Sequence, residues 1–339
     1  MHKEWNHRLQ KAYKKSGREP HRPVRLPAEG IMSVTGDANH AVIELKSGAI
    51  VRNMQENAAA FEGWSLALRH WCGAERVTLR WEVPFVNPDP KVDQVQKRHY
   101  QRFLYRVERF SSLFDWFHVT TSDHFEHWRH RNQKFFLNVA GDVRSRPQSA
   151  EAALSPASPE HELECRLLKD PDFDRHYKFT GESIKDRQFP VGLFSESTPT
   201  AASAVFPGGK GAIDLVCVDR HHLWLFELKA KKNIPIGTIA ELFFYVSVMR
   251  DAVIGNFQFG RAGGSRANVQ TQMIENVKKI TGVMLGHDLH PLISDPNIIH
   301  LLNNALADRW NCIGGAPDVS FRADQIQSDL PLKIVECGQ

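Results

Sequence analysis

At 339 residues, 42% hydrophobic and 24% charged, the chain is long enough for two globular domains, each with its own core. Five scattered cysteines (Cys72, Cys165, Cys217, Cys312, Cys337) with no CxxC pair argue against a disulfide framework and a structural zinc site. They favour a reducing, cytoplasmic setting. The polar start of the chain, and the lack of any run near ~18 apolar residues, argue against secretion and membrane insertion.

The net charge of +4 is unevenly placed. Residues 1–25 hold eight Lys or Arg and two Glu, which is +6, and the other residues sum to −2. A basic, flexible tail over 1–27 is expected, either an arm that meets nucleic acid or a solvated terminus. Strand-like runs follow at 31–34, 40–45 and 49–52, then a helix over 56–71 with Phe61, Trp64, Ala67 and Leu68 at helical spacing. Residues 76–81 read as a strand, 84–90 as a turn-rich loop, 92–113 as a second helix, and 117–120 and 134–139 as further strands. Residues 28–142 thus read as a small α+β domain with no assigned role. Its second helix carries Tyr100, Phe103, Leu104, Val107 and Phe110 on one face. Arg98, Arg102, Arg106 and Arg109 fall on another, either a track for a phosphate backbone or a solvated face. His124, His127 and His130 recur three apart, but with no further ligand in view they read as surface histidines.

Residues 143–159 (VRSRPQSAEAALSPASP) turn to Ser, Ala and Pro, a linker composition that sets the boundary before a second domain, 160–339. There the order is helix 160–169, strands 188–194, 212–218 and 223–230, helix 236–254 and strand 280–285. This αβββαβ order implies a sheet with helices packed on it, and 319–323 is an expected edge strand.

The chemistry concentrates on the central strand pair. AIDLVCV is apolar except for Asp214, and LWLFEL is apolar except for Glu227. The polar Asp219-Arg220-His221-His222 between them suits a hairpin turn. A hairpin centred between Arg220 and His221 pairs residues whose numbers sum to 441, which sets Asp214 opposite Glu227. Their Cβ atoms would be about 5 Å apart on one face. Alternation adds Lys229 to that face and sends Cys217 to the other, into the core. Two carboxylates so close repel unless a cation or shared proton intervenes, and hard oxygen donors suit Mg2+. A structural salt bridge of Lys229 is the bland alternative.

Asp214 followed by Glu227-Leu228-Lys229 resembles the signature of the PD-(D/E)XK nuclease superfamily, over residues 160–290. Ile213 stands where the motif's proline would be. The resemblance implies a restriction-endonuclease-like αβββαβ core and a Mg2+- or Mn2+-dependent hydrolysis of phosphodiester bonds. It ranks DNA ahead of RNA and offers defence or repair as settings by analogy. It implies that Asp214, Glu227 and the Leu228 carbonyl hold the metal, while Lys229 activates water and stabilises charge on phosphate. Many members add a carboxylate from the first helix, for which Glu164 or Glu162 is available, with Glu196 as a competitor. Glu241 is an auxiliary candidate on the helix after the third strand, and Lys210, in a glycine-rich segment, a candidate phosphate contact. Nucleic acid is the expected partner, with a homo-oligomer or accessory protein left open. A catalytically inactive nucleic-acid-binding or scaffold protein on the same fold is the rival reading.

Overall fold

β-Branched and aromatic runs become strands, and stripes at 3.6-residue spacing become helices, in a computed structural model that describes residues 1–15, 24–139, 159–207, 211–230, 235–260 and 268–338. The chain divides into two units. The first comprises Met1–Asn132, Pro235–Glu241 and His290–Leu301; the second comprises Gln133–Ile234, Leu242–Leu289 and Leu302–Gln339. Both are mixed α/β, each with one mixed sheet. Among the described residues no helix is long and apolar enough to cross a membrane.

In the first unit the elements run α1 (His2–Lys15), β1 (Met32–Gly36), β2 (His40–Leu45), α2 (Ser47–Ile50), α3 (Phe61–His70), β3 (Arg76–Trp81), α4 (Pro90–Ser111), β4 (Phe117–Val119) and α5 (Asp123–Arg129). The sheet order is β1-β2-β3-β4, antiparallel in its first pair and parallel in the other two. Residues 2–15 are not a flexible tail. Trp5, Leu9 and Tyr13 recur every fourth residue and are buried, so α1 docks by an apolar stripe while Lys3, Lys11, Lys14 and Lys15 stay exposed. Residues 47–50 form a helical turn where a strand is expected.

The second unit contains β5 (Phe135–Val139), α6 (Pro159–Leu167), α7 (Pro171–Tyr177), β6 (Ile184–Phe194), β7 (Ala212–Asp219) and β8 (His222–Lys229). It continues with α8 (Gly237–Val253), β9 (Phe257–Phe259), α9 (Thr271–Glu275), β10 (Lys279–Gly286), α10 (Pro296–Arg309), β11 (Asp318–Asp329) and β12 (Leu332–Glu336). The first residues of α8 and α10 count with the first unit. The sheet order is β12-β11-β10-β8-β7-β6-β5-β9. β6, β7 and β8 form an antiparallel meander, and β10 lies parallel to both β8 and β11. Three expectations need correction. β5, placed with the N-terminal domain, joins this second sheet; β11 is not an edge strand, because β12 pairs on its outer side; and α7 went unanticipated. The boundary segment 143–158 lies outside the described residues.

Both faces of the sheet are covered, which is why β8 reads as an almost unbroken apolar run. On one face Leu163 and Leu167 of α6 and Phe173 and Tyr177 of α7 pack on Leu215, Phe226, Leu228 and Leu285. On the other, α8 lies so close to β10 that a Cβ at Gly282 would come within 2.8 Å of Val246.

Candidate active site

The β7–β8 register is the expected one: Leu215 pairs with Phe226, Val216 with Leu225 and Asp219 with His222, each pair summing to 441. The ladder ends at Leu215, one residue short of the Asp214–Glu227 pair. Beyond it the Leu228 amide donates to Asp214 Oδ2 at 2.7 Å, so a side chain replaces a main-chain acceptor where the strands part. Glu227 and Lys229 share a face as alternation requires, and Lys229 Nζ donates to Glu227 Oε1 at 2.6 Å. Both are buried, at 1% and 3% exposure, so neither charge has water to fall back on. Cys217 faces the opposite side, and burial pushes its thiol up to about 12.

Of the three first-helix and first-strand carboxylates, Glu164 is the one brought in. It is 3% exposed, whereas Glu162 and Glu196 lie exposed. Helix α6 is fixed from two sides. Leu163 and Leu167 enter the core, and Arg166 donates to Asp329 Oδ1 at 2.6 Å. His287 donates to the same carboxylate, and the two partners hold Asp329 down at about 2 although burial alone pushes it up.

Gln188, which sequence reasoning missed, connects the two strands of argument. Its Nε2 donates to Glu164 Oε1 at 2.6 Å and to Asp214 Oδ1 at 3.2 Å. It lies opposite Asp214 in the β6–β7 register and adopts φ +52°, a left-handed conformation that interrupts the ladder between Arg187 and Phe189. Arg187 and His161 were also missed. Arg187 Nη1 stands 3.0 Å from His161 Nδ1 and 3.5 Å from Glu164 Oε2, with the arginine side chain 18% exposed. Since arginine has donors only, His161 Nδ1 accepts, and a neutral ring then carries its proton on Nε2.

Other expected residues fall elsewhere. Glu241 is buried near the N-terminal end of α8, among the residues of the first unit. Lys210 lies outside the described residues. The arginine stripe of α4 is not a solvent-facing track: Arg102 and Arg106 are 6% and 3% exposed. Arg106 pairs with buried Glu62 through Nε at 2.8 Å and Nη2 at 2.5 Å, and Nη2 also donates to the Ala59 carbonyl. Helix α4 buries more than one side, so its charged row serves the core. Arg98 and Arg109 remain half-buried.

Among the described residues no group of three or more His, Cys, Asp or Glu side chains is gathered as a metal-holding cluster. The donor chemistry still suits a hard divalent ion, because Mg2+ is commonly held by one or two carboxylates and keeps several waters. Glu164 and Asp214 already turn one oxygen each toward a single donor, the Gln188 amide. No protein-family model matches the chain, and no curated protein or solved structure matches it either.

Proposed function

We propose that the second unit is a Mg2+- or Mn2+-dependent nuclease of the PD-(D/E)XK kind, with DNA the first substrate to test. The observation that carries this reading is the convergence of Glu164 and Asp214 on one donor amide, beside the buried Glu227–Lys229 pair. The connectivity supports it too, since a helix, an antiparallel meander, a second helix and a parallel fourth strand match the αβββαβ core that the resemblance implies. β5, β9, α7, α9 and the β11–β12 extension are additions to that core.

Asp214 and Glu227, with the Leu228 carbonyl, would hold the ion, with Glu164 an auxiliary carboxylate reached through the Gln188 amide; when bound, the ion supplies Lewis acidity and a more acidic water. Gln188 offsets the repulsion between its two carboxylate partners by donating to both. The Lys229 ammonium, desolvated and held by Glu227, is a fixed positive charge for an oxyanion developing on phosphorus. Arg187 offers a planar, partly exposed guanidinium at the rim, suited to a phosphate oxygen pair. His161 holds that fork in place from α6.

The test is cleavage of supercoiled, linear and single-stranded DNA and of RNA, each with Mg2+, Mn2+ or EDTA. The expected result is metal-dependent cutting that falls by roughly 10²–10³-fold or more in Asp214→Ala and Lys229→Ala. Cutting that persists in EDTA, or survives in both variants, overturns the proposal. A fold retained for binding alone is the second reading. It is favoured by the Gln188 amide already serving the two carboxylates, and it predicts nucleic-acid binding with no calorimetric uptake of Mg2+ or Mn2+.

A further inference from the structure

The first unit contains a cavity of about 500 Å³ between the segment after β3 and helices α4 and α5, within the size range of small-molecule sites. Its surroundings are unusual for the surface. Among the described residues eight large hydrophobic side chains are exposed, and five of them (Val83, Phe85, Val86, Val92, Val95) fall in this one short stretch. Phe85 is 83% exposed and Val86 78%, and both line the opening. Apolar surface held in water at one place marks a binding site.

The lining selects among occupants. Tyr100 and Trp128 give flat aromatic walls, and the His124 ring stands 5.9 Å from that of Tyr100. Gln96 and Gln101 add amides that both donate and accept, and His124 and His127 add ring nitrogens of either role. A purely aliphatic occupant would leave these groups without partners. An anion finds no surplus of positive charge inside, because Lys97 is paired with Asp93 at 2.7 Å and Asp123 adds a further acid. What remains is a neutral planar ring with a hydrogen-bonding edge. On the same two helices Lys91 and Arg129 are exposed, Arg129 in an ion pair with Glu126 at 3.7 Å and Lys91 the cation nearer to hand for a strand's phosphate.

We propose that this cavity takes an unstacked base of a single-stranded nucleic acid, with Phe85 closing over it as a stacking platform and the glutamine amides meeting its edge. Base–aromatic stacking is tolerant of sequence, whereas bidentate amides favour adenine, so a modest preference for adenine-containing strands follows. The inference stands on the first unit and does not need the nuclease reading.

The experiment is fluorescence anisotropy of labelled octanucleotides, DNA and RNA, titrated with the full chain in EDTA so that no cutting intrudes. Each strand is compared with one of the same phosphate count in which the bases are abasic. Intact strands should bind about tenfold or more tightly than abasic ones, and Phe85→Ala should erase most of that difference without weakening the abasic strand. Since Phe85 is exposed, its substitution leaves the fold intact, as a thermal melt will verify; Gln101→Ala should lower the adenine preference alone. Equal affinity for intact and abasic strands overturns the proposal, as does an unchanged Phe85→Ala. Binding of an apolar helical peptide that Phe85→Ala abolishes, with no base dependence, assigns the cavity to a protein partner instead. Lys229→Ala should keep the base-dependent binding, so this reading and the nuclease can fail separately.

Discussion

Gln188 is a non-glycine residue at φ +52°, a conformation that costs about 1–2 kcal/mol, and its return is one amide shared by two carboxylates. Replacing it by glutamate puts a third acid at that point. Gln188→Glu should therefore lower the melting temperature in EDTA at neutral pH, and Mg2+ or Ca2+ should restore more stability to it than to the parent. Equal melting in EDTA would argue against convergence. A second residue acts through absence: a Cβ at Gly286 would lie 2.7 Å from the Lys229 carbonyl oxygen and 3.2 Å from its Cβ. If the proposed nuclease holds, Gly286→Ala should displace Lys229 and cut its turnover roughly tenfold or more with KM little changed, measurable by steady-state kinetics. Asp214, Glu227 and Lys229 were legible because a hairpin's register follows from its turn, and Glu164 was legible only as one of several acids. Gln188, Arg187 and His161 were not. Their contacts join residues 24 to 26 positions apart, and a left-handed residue inside a strand leaves no trace in composition or periodicity.

At the scale of elements, pattern and environment parted company on α4. The spacing of its arginines is helical as read, yet Arg106 lies in the core against Glu62, whose carboxyl burial pushes up and Arg106 pulls back down. Removing one member strands the other's charge, so Arg106→Ala should cost about 3–5 kcal/mol, read by urea unfolding, whereas exposed Lys97→Ala should cost well under ~1. Helix α1 carries the same lesson in reverse. Its charge count pointed to a flexible basic tail, nucleic-acid arm or solvated terminus, while Trp5, Leu9 and Tyr13 at intervals of four held the signal for docking. The long, strongly apolar elements β7, β8, α8 and β10 were legible because burial on both faces leaves one pattern only. β12 and α7 were lost because they are short and borrow their order from neighbours, such as Tyr177 donating to buried Asp324.

For the molecule as a whole, two histidines tie stability to acidity. Burial lowers His290, in the first unit, to about 4, and it likewise lowers His222, in the second, to about 4. Each is neutral in the folded chain at neutral pH, and each gains a proton more readily when unfolded. Their contributions are therefore complete above pH ~6.5 and are lost as pH falls toward ~4. For fully enclosed His290 the loss is on the order of 3 kcal/mol. Urea unfolding at pH 7, 6 and 5 should show it, and His290→Asn, which keeps an acceptor for the Leu292 amide, should flatten the slope. A slope unchanged by that substitution would place the acid sensitivity elsewhere.

The first unit is drawn from three separate stretches of chain, and those stretches complete one another. Trp71 donates to Asp295 at 2.8 Å, the Ile236 amide donates to Asn57, and a Cβ at Gly237 would strike the Gln55 carbonyl at 2.1 Å. Residues 1–132 expressed alone should lack these partners and give a poorly dispersed NMR spectrum. The same interleaving bears on ancestry. A single break in the coding sequence anywhere between residues 1 and 301 divides the first unit, so one exchange in that span cannot move the unit whole. A break beyond Leu301 would move it intact, but that piece would carry most of the second unit along with it.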